Sequence, residues 1–185
     1  MQWRQVLVAG VLAVGLAGCI TYPPEHYGFG GEPPYTLDSG DEVRIIVFEA
    51  ESLPRTFIVS ASGHISVPLA GVIDVRGRTS QEVERAIAGR LRGHYITTPM
   101  VSVQVVAYRP FFIQGEVNRG GRYPFTPGLT VESAVAIAGG YTERSYVAKA
   151  RIVRAGPGGS TTVTYVPAGH PIRPGDTVFI PERWF

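Results

Sequence analysis

Four histidines, His26, His64, His94 and His170, are the first residues in this chain to test for metal binding or proton transfer. They are scattered, with no His-Glu-x-x-His pattern and no pair at i, i+4 on one helix, so their spacing describes no metal centre. A single cysteine excludes an intrachain disulfide framework and any multi-Cys zinc or iron–sulfur site. There is no Gly-x-Ser-x-Gly nucleophile elbow. Gly156-Pro157-Gly158-Gly159 has neither the Gly-Lys-Ser/Thr ending nor the following helix of a phosphate-binding loop, and reads as a hairpin turn. Asp38 and Asp41, with Glu42 beside them, could be drawn as a carboxylate pair, but at a turn just before a strand they serve better as caps for backbone N–H groups. Glu49 and Glu51 lie in a loop without a partner. No catalysis, cofactor or metal is therefore expected.

Cys19 is different. Met1–Gln5 carries one cation, Arg4, and Val6–Ala17 carries no charge. As a helix that segment spans about 18 Å at ~1.5 Å per residue, against a hydrocarbon core of about 30 Å. It has the length of a signal-peptide core, not of a membrane span. Leu16-Ala17-Gly18-Cys19 then resembles the bacterial lipobox, in which the Cys sulfur is acylated and the leader 1–18 is cut away. Several acyl chains hold a protein firmly where one does so only marginally. Ile20 stands where an Asp would resemble an inner-membrane retention signal, which favours the outer membrane.

These features need a body to carry. The chain has 185 residues, formal net charge +2, 44% hydrophobic and 17% charged residues, with 23 Gly and 15 Pro. So little net charge supplies no field for gripping nucleic acid. Frequent Gly and Pro with ordinary apolar content indicate a β-rich body with tight turns. Residues 19–36, with Pro23-Pro24, Gly30-Gly31 and Pro33-Pro34, read as a tether.

From Leu37 on, Asp41–Phe48 alternates and reads as a strand mostly buried on both sides. Phe57–Val59 and Ile65–Leu69 flank Ser62-Gly63 as a hairpin, and Val72–Val75 is a short strand. Thr79-Ser80-Gln81-Glu82 fits a capping box ahead of a helix through Val83, Ala86, Ile87 and Leu91, with Glu84, Arg85 and Arg92 outside and Gly93 as its stop. Val101–Val105 follows as a strand. A second unit repeats the plan. Phe111–Val117 is a strand, Arg119–Gly121 a turn and Tyr123–Phe125 its return. Thr130 caps a short helix closed by Gly139-Gly140, Ala150–Arg154 and Thr162–Val166 form a hairpin, and Thr177–Ile180 is the last strand. The fold class is α+β, with two small mixed modules. Gly40-Asp41 and Gly175-Asp176 echo each other as turns before strands.

The motifs in this order resemble the bacterial outer-membrane polysaccharide export lipoproteins. Leu37-Asp38-Ser39-Gly40-Asp41 looks like that family's opening Leu-x-x-Gly-Asp, and Val59–Gly71 like its hairpin, with Ser62 where Asp is common. Pro99-Met100-Val101-Ser102-Val103 is similar to its Pro-x-Val-x-Val strand. Phe112–Val117 and Ala138–Tyr141 resemble the soluble-ligand-binding β-grasp domain that follows, with Gly120-Gly121 in place of the usual Pro-Gly turn.

The resemblance implies a polysaccharide export domain over 37–108 and a β-grasp domain over 109–183. It implies a lipid-anchored protein on the periplasmic face of the outer membrane. Such a protein forms a homo-oligomeric ring or adaptor that guides capsular or exopolysaccharide outward. Relatives work with an inner-membrane polysaccharide copolymerase, often coupled to a tyrosine kinase. Five residues follow Ile180, about 7.5 Å as helix, so a separate outer-membrane β-barrel is expected to supply the pore. Passive conduction needs repeated weak contacts. Tyr123, Tyr141 and Tyr146 are candidate sugar-stacking residues, with a core or subunit interface as the competing role. Arg119, Arg122, Arg144 and Arg151 could meet an acidic polymer or form a solvated rim. A lipid-anchored sugar-binding or scaffold module without a transport role is the alternative.

Overall fold

The computed structural model describes residues 34–48, 56–93, 96–156 and 159–184. The leader, Cys19, the tether up to residue 33, His26, Glu49, Glu51, His94 and Pro157-Gly158 lie outside the described residues. In chain order the first half contains β1 (Glu42–Val47), β2 (Thr56–Ile58), β3 (His64–Val67), β4 (Gly71–Asp74), α1 (Ser80–Leu91) and β5 (Val101–Ala107). The second half contains β6 (Phe111–Gly115), β7 (Gly121–Tyr123), α2 (Val131–Ile137), β8 (Ala150–Ala155), β9 (Thr161–Val166) and β10 (Thr177–Ile180). Each half has its own buried apolar cluster, so the α+β class with two small mixed modules holds.

In the first half, β2, β1 and β5 form an antiparallel sheet in that order. Val43, Ile45 and Val47 point into a cluster with Val83, Ile87 and Leu91 of α1 and with Ile65, Val67 and Ile73 of the β3–β4 hairpin. The expectation that β1 is mostly buried on both sides is corrected: Arg44 is exposed and Phe48 is 54% exposed. Among the described residues the fully buried side chains gather on one face of this small sheet, and Ile46 on the other face is only half-buried.

The hairpin expected around Ser62-Gly63 is also corrected. The turn forms, with the Gly63 N–H donating to Ser60 O at 2.9 Å and the Ser60 N–H to His64 O at 2.9 Å. Its two arms then part, β2 pairing with β1 and β3 with β4. The cause is competition for backbone groups. The Val59 N–H donates to Asp41 O, and the Gly40 N–H donates to Val59 O, which draws β2 onto β1.

The capping box of α1 is present in full. The Glu82 N–H donates to Thr79 Oγ1 at 3.3 Å, and the Thr79 N–H donates to Glu82 Oε2 at 2.7 Å. Gly93 follows the helix at φ +78°, in the left-handed region that stops it. Glu84 does not lie outside as expected. Its Oε1 accepts from the Val103 N–H at 2.8 Å, closing part of the open edge of β5.

In the second half the sheet order is β7-β6-β10-β8-β9. β10 returns to the centre, parallel to β6 and antiparallel to β8. The parallel pairing is made possible by the long crossover through α2 and the β8–β9 hairpin. α2 begins at Thr130, whose hydroxyl accepts from the Ser133 N–H at 3.2 Å. It packs Val131, Ala134 and Val135 against the sheet. The return strand β7 starts at Gly121, two residues earlier than the pattern predicts.

Replacing Thr79 by Ala is expected to cost about 1 kcal/mol in urea unfolding. Hydrogen bonds from the Thr79 backbone N–H, and then from its hydroxyl, hold the Glu82 carboxyl below the usual range. Its stabilisation is therefore present above that range and is lost as pH falls through the depressed pKa. Thermal melts of Glu82→Gln should show a lower Tm than the parent at pH 7, with the gap closing on acidification. A gap independent of pH would contradict the capping role.

Candidate functional site

The placement of β10 starts with a turn. In Arg173-Pro174-Gly175-Asp176 the Asp176 N–H donates to Arg173 O at 3.1 Å, and the Arg173 N–H donates to the Asp176 carboxylate at 2.7 Å. Asp176 is fully buried, and Arg154 of β8 grips it through Nε and Nη2 at 2.8 and 2.7 Å. Asp38-Ser39-Gly40-Asp41 has the same form. The Asp41 N–H donates to Asp38 O at 3.1 Å and the Asp38 N–H to the Asp41 carboxylate at 2.8 Å. Both carboxylates are thus turn caps rather than acid–base groups. At the other end of β10, Gly115 sits at φ +92°, and a Cβ there would lie 2.2 Å from Ile180 O. Only glycine lets β6 and β10 approach this closely.

The register then decides what the sheet presents. Phe111, Ile113, Val178, Ile180, Ala150 and Ile152 face α2 and the core. Their sequence neighbours face the other way, because side chains alternate along a strand and registered partners share a face. One row across this open face reads Arg122, Phe112, Thr177, Val153, Val163. The next reads Gln114, Phe179, Arg151, Tyr165. At ~4.8 Å per strand the platform is about 19 Å wide from β7 to β9. Phe112 is 43%, Val163 54% and Tyr165 66% exposed. The Arg151 guanidinium lies 4.5 Å above the Phe179 ring centre, which accounts for that ring being only partly exposed.

Of the seven side chains expected to meet a polymer, Arg122 and Arg151 lie on this platform. Tyr123 does not. It is half-buried on the core side, stacked on Phe111 with ring centres 6.0 Å apart, and its hydroxyl donates to Arg119 O. Tyr141 packs on the same cluster, and burial followed by the Glu132 charge raises its pKa. Tyr146 is exposed but belongs to a loop fixed by its N–H to Pro181 O at 2.8 Å. Arg144 is exposed and ion-paired with Glu182. Arg119 is exposed beside Gly139. Phe112, Phe179 and Tyr165 were not among the expected contacts. Period-2 alternation marks each as one face of a strand, but which face is open depends on the strand order.

A groove of about 460 Å³ lies in the first half, lined by Ile58, Ser60, Ser62, His64, Ile65, Ser66 and Val72. Ser62 Oγ is 3.1 Å from His64 Nδ1 and 2.9 Å from Ser60 Oγ. Among the described residues no carboxylate hydrogen-bonds His64, and Asp74 opposite it is paired with Arg78. The contact closes a turn and lacks the third group that orients a catalytic histidine. Among the described residues no cluster of His, Cys, Asp and Glu is arranged to hold a metal ion.

Comparison with known proteins finds two family models in succession, polysaccharide biosynthesis/export protein over residues 30–106 and SLBB domain over residues 110–165. The chain is 34% identical over 118 residues to the exopolysaccharide production protein ExoF of Rhizobium meliloti (strain 1021), covering 57% of this chain and 28% of ExoF. It is 29% identical over 161 residues to the EPS I polysaccharide export outer membrane protein EpsA of Ralstonia nicotianae (strain ATCC BAA-1114 / GMI1000), covering 82% of this chain and 42% of EpsA. It is 32% identical over 140 residues to the capsule polysaccharide export outer membrane protein CtrA of Neisseria meningitidis, covering 63% and 35%. The chain thus spans less than half the length of these relatives.

Asp176→Ala should destabilise the protein by about 3 kcal/mol, because it removes the buried carboxylate that accepts from the Arg173 N–H and from the Arg154 guanidinium. The check is a urea midpoint that falls with an unchanged slope. A loss below about 1 kcal/mol would show that the turn does not hold β10.

Proposed function

The chain belongs to the polysaccharide export family, and from that premise we propose that it is an outer-membrane-anchored periplasmic component of a capsule or exopolysaccharide export machine. The observation that carries this reading is the succession of the two matched units, export domain then SLBB domain, in one chain. The names of EpsA and CtrA, both polysaccharide export outer membrane proteins, agree with a role in export at the outer membrane, and that of ExoF with exopolysaccharide production. Among the described residues no helix is long and apolar enough to cross a membrane. Attachment through acylated Cys19 meets the need for an anchor by another route.

In this reading the protein is a conduit element and not an enzyme. Copies assemble as a ring or adaptor, receive polymer from an inner-membrane copolymerase of the kind often coupled to a tyrosine kinase, and pass it to a separate β-barrel. Polymer contacts fall to the open sheet face, where Phe112 and Tyr165 offer flat apolar surface beside Arg122 and Arg151. Stacking on such rings is weak per unit, so a threaded chain can advance. Tyr123 and Tyr141 act by packing.

A deletion strain is expected to lose surface polysaccharide and to accumulate polymer in the periplasm. Normal surface polymer in that strain would overturn the export role and leave a sugar-binding or scaffold module. Cys19→Ser should move the protein out of the membrane fraction and abolish lipid labelling. Unchanged fractionation would rule out the anchor.

A further inference from the structure

We infer that the open face of the second sheet selects an acidic polysaccharide, one whose sugars carry carboxylate groups, over a neutral one. This rests on the export reading and names its substrate class. The two exposed rows hold Arg122 and Arg151 and no Asp or Glu. Among the described residues neither arginine is in an ion pair. This contrasts with Arg76, Arg78, Arg109, Arg144 and Arg154, which all have carboxylate partners.

Arg151 is the sharper case. Its guanidinium lies over Phe179, and its Nε is buried without a hydrogen-bond partner. Held over that ring, the guanidinium carries its charge on this face without a carboxylate partner among the described residues, and an incoming anion supplies one. A carboxylate fits that role best, since the guanidinium fork pairs with both of its oxygens. A neutral sugar could stack on Phe112 and Tyr165 but offers the fork only hydroxyls.

The spacing suits a polymer. Arg122 on β7 and Arg151 on β8 are separated by β6 and β10, three strand steps or about 14 Å. The two cations therefore engage carboxylates on different sugar units. A second copy laid face to face would bring two more arginines and no acid to this patch, which disfavours self-docking there.

The test uses the full-length protein in detergent with polygalacturonate and dextran of matched length, followed by calorimetry. Polygalacturonate should bind in a salt-sensitive manner, with dextran at least about tenfold weaker. The double variant Arg122→Gln/Arg151→Gln should lose about tenfold or more for polygalacturonate and nothing for dextran. Its circular dichroism and elution volume should match the parent, because neither arginine belongs to the buried apolar cluster or to an ion pair among the described residues. Equal affinity for the two polymers, or undiminished polygalacturonate binding in the variant, overturns the inference. So does a changed assembly size in the variant, which would mean that the face lies between subunits. Equal binding beside a clear export defect in the deletion strain would sink the selectivity alone. Normal export in that strain would sink the reading beneath it.

Discussion

A buried carboxylate closing a tight Gly-Asp turn is the interaction on which both halves of this structure depend. Asp41 and Asp176 are each fully inaccessible, yet both carboxylates are matched by donors. Asp41 accepts from the Asp38 N–H at 2.8 Å, the Arg109 N–H at 2.8 Å, the Tyr35 hydroxyl at 2.6 Å and Arg109 Nη1 at 3.3 Å. Burial, and then the hydrogen bond to Asp41, push the Tyr35 hydroxyl far above its ordinary pKa, so it stays a donor. A charge buried this way is tolerable only with its partners in place. The turns therefore fix where β1 and β10, the strands that organise the two sheets, begin.

Arg109 joins the two halves. It binds Asp41 and Tyr35 in the first, and a Cβ at Gly175 of the second would lie 2.8 Å from its Nε. Close by, Tyr108 meets Tyr35 edge-on at 4.9 Å and Phe125 at 5.6 Å between ring centres. One arginine thus sits against both Gly-Asp turns. Gly175 is required there for space as well as for its φ of +83°. Tyr35, inside the stretch expected to act as a tether, is held in the fold by this cluster.

Among the described residues each half covers its sheet on one side. The second sheet turns Phe111, Ile113, Val178 and Ile180 toward α2, and among the described residues nothing is laid over the opposite face. Apolar and aromatic side chains stay in water there beside unpaired arginines. An interaction surface commonly has this form.

Local grammar was legible from residues alone. Thr79 and Glu82 fixed the start of α1, Thr130 that of α2, and glycines 93, 139 and 140 the helix ends, because capping and positive φ depend on neighbours within four residues. The Gly-Asp echo was readable as a pair of turns for the same reason. Strand partnership was not. Phe57–Val59 lies beside a turn that points it at β3, but the Asp41 backbone captured it for β1. Glu84 looked solvent-facing until β5 arrived with an open N–H at Val103.

The candidate site divides along the same line. Sequence determined that the second half has alternating strands containing Phe112, Arg122, Arg151, Tyr165 and Phe179, since side-chain alternation is a property of one strand. Only the tertiary structure decided that these five share a face and that Tyr123 lies on the other. That outcome depends on β10 inserting between β6 and β8, a pairing of segments more than sixty residues apart in the case of β6 and β10. No local pattern encodes such a contact, because its free energy exists only once the distant strand is in place.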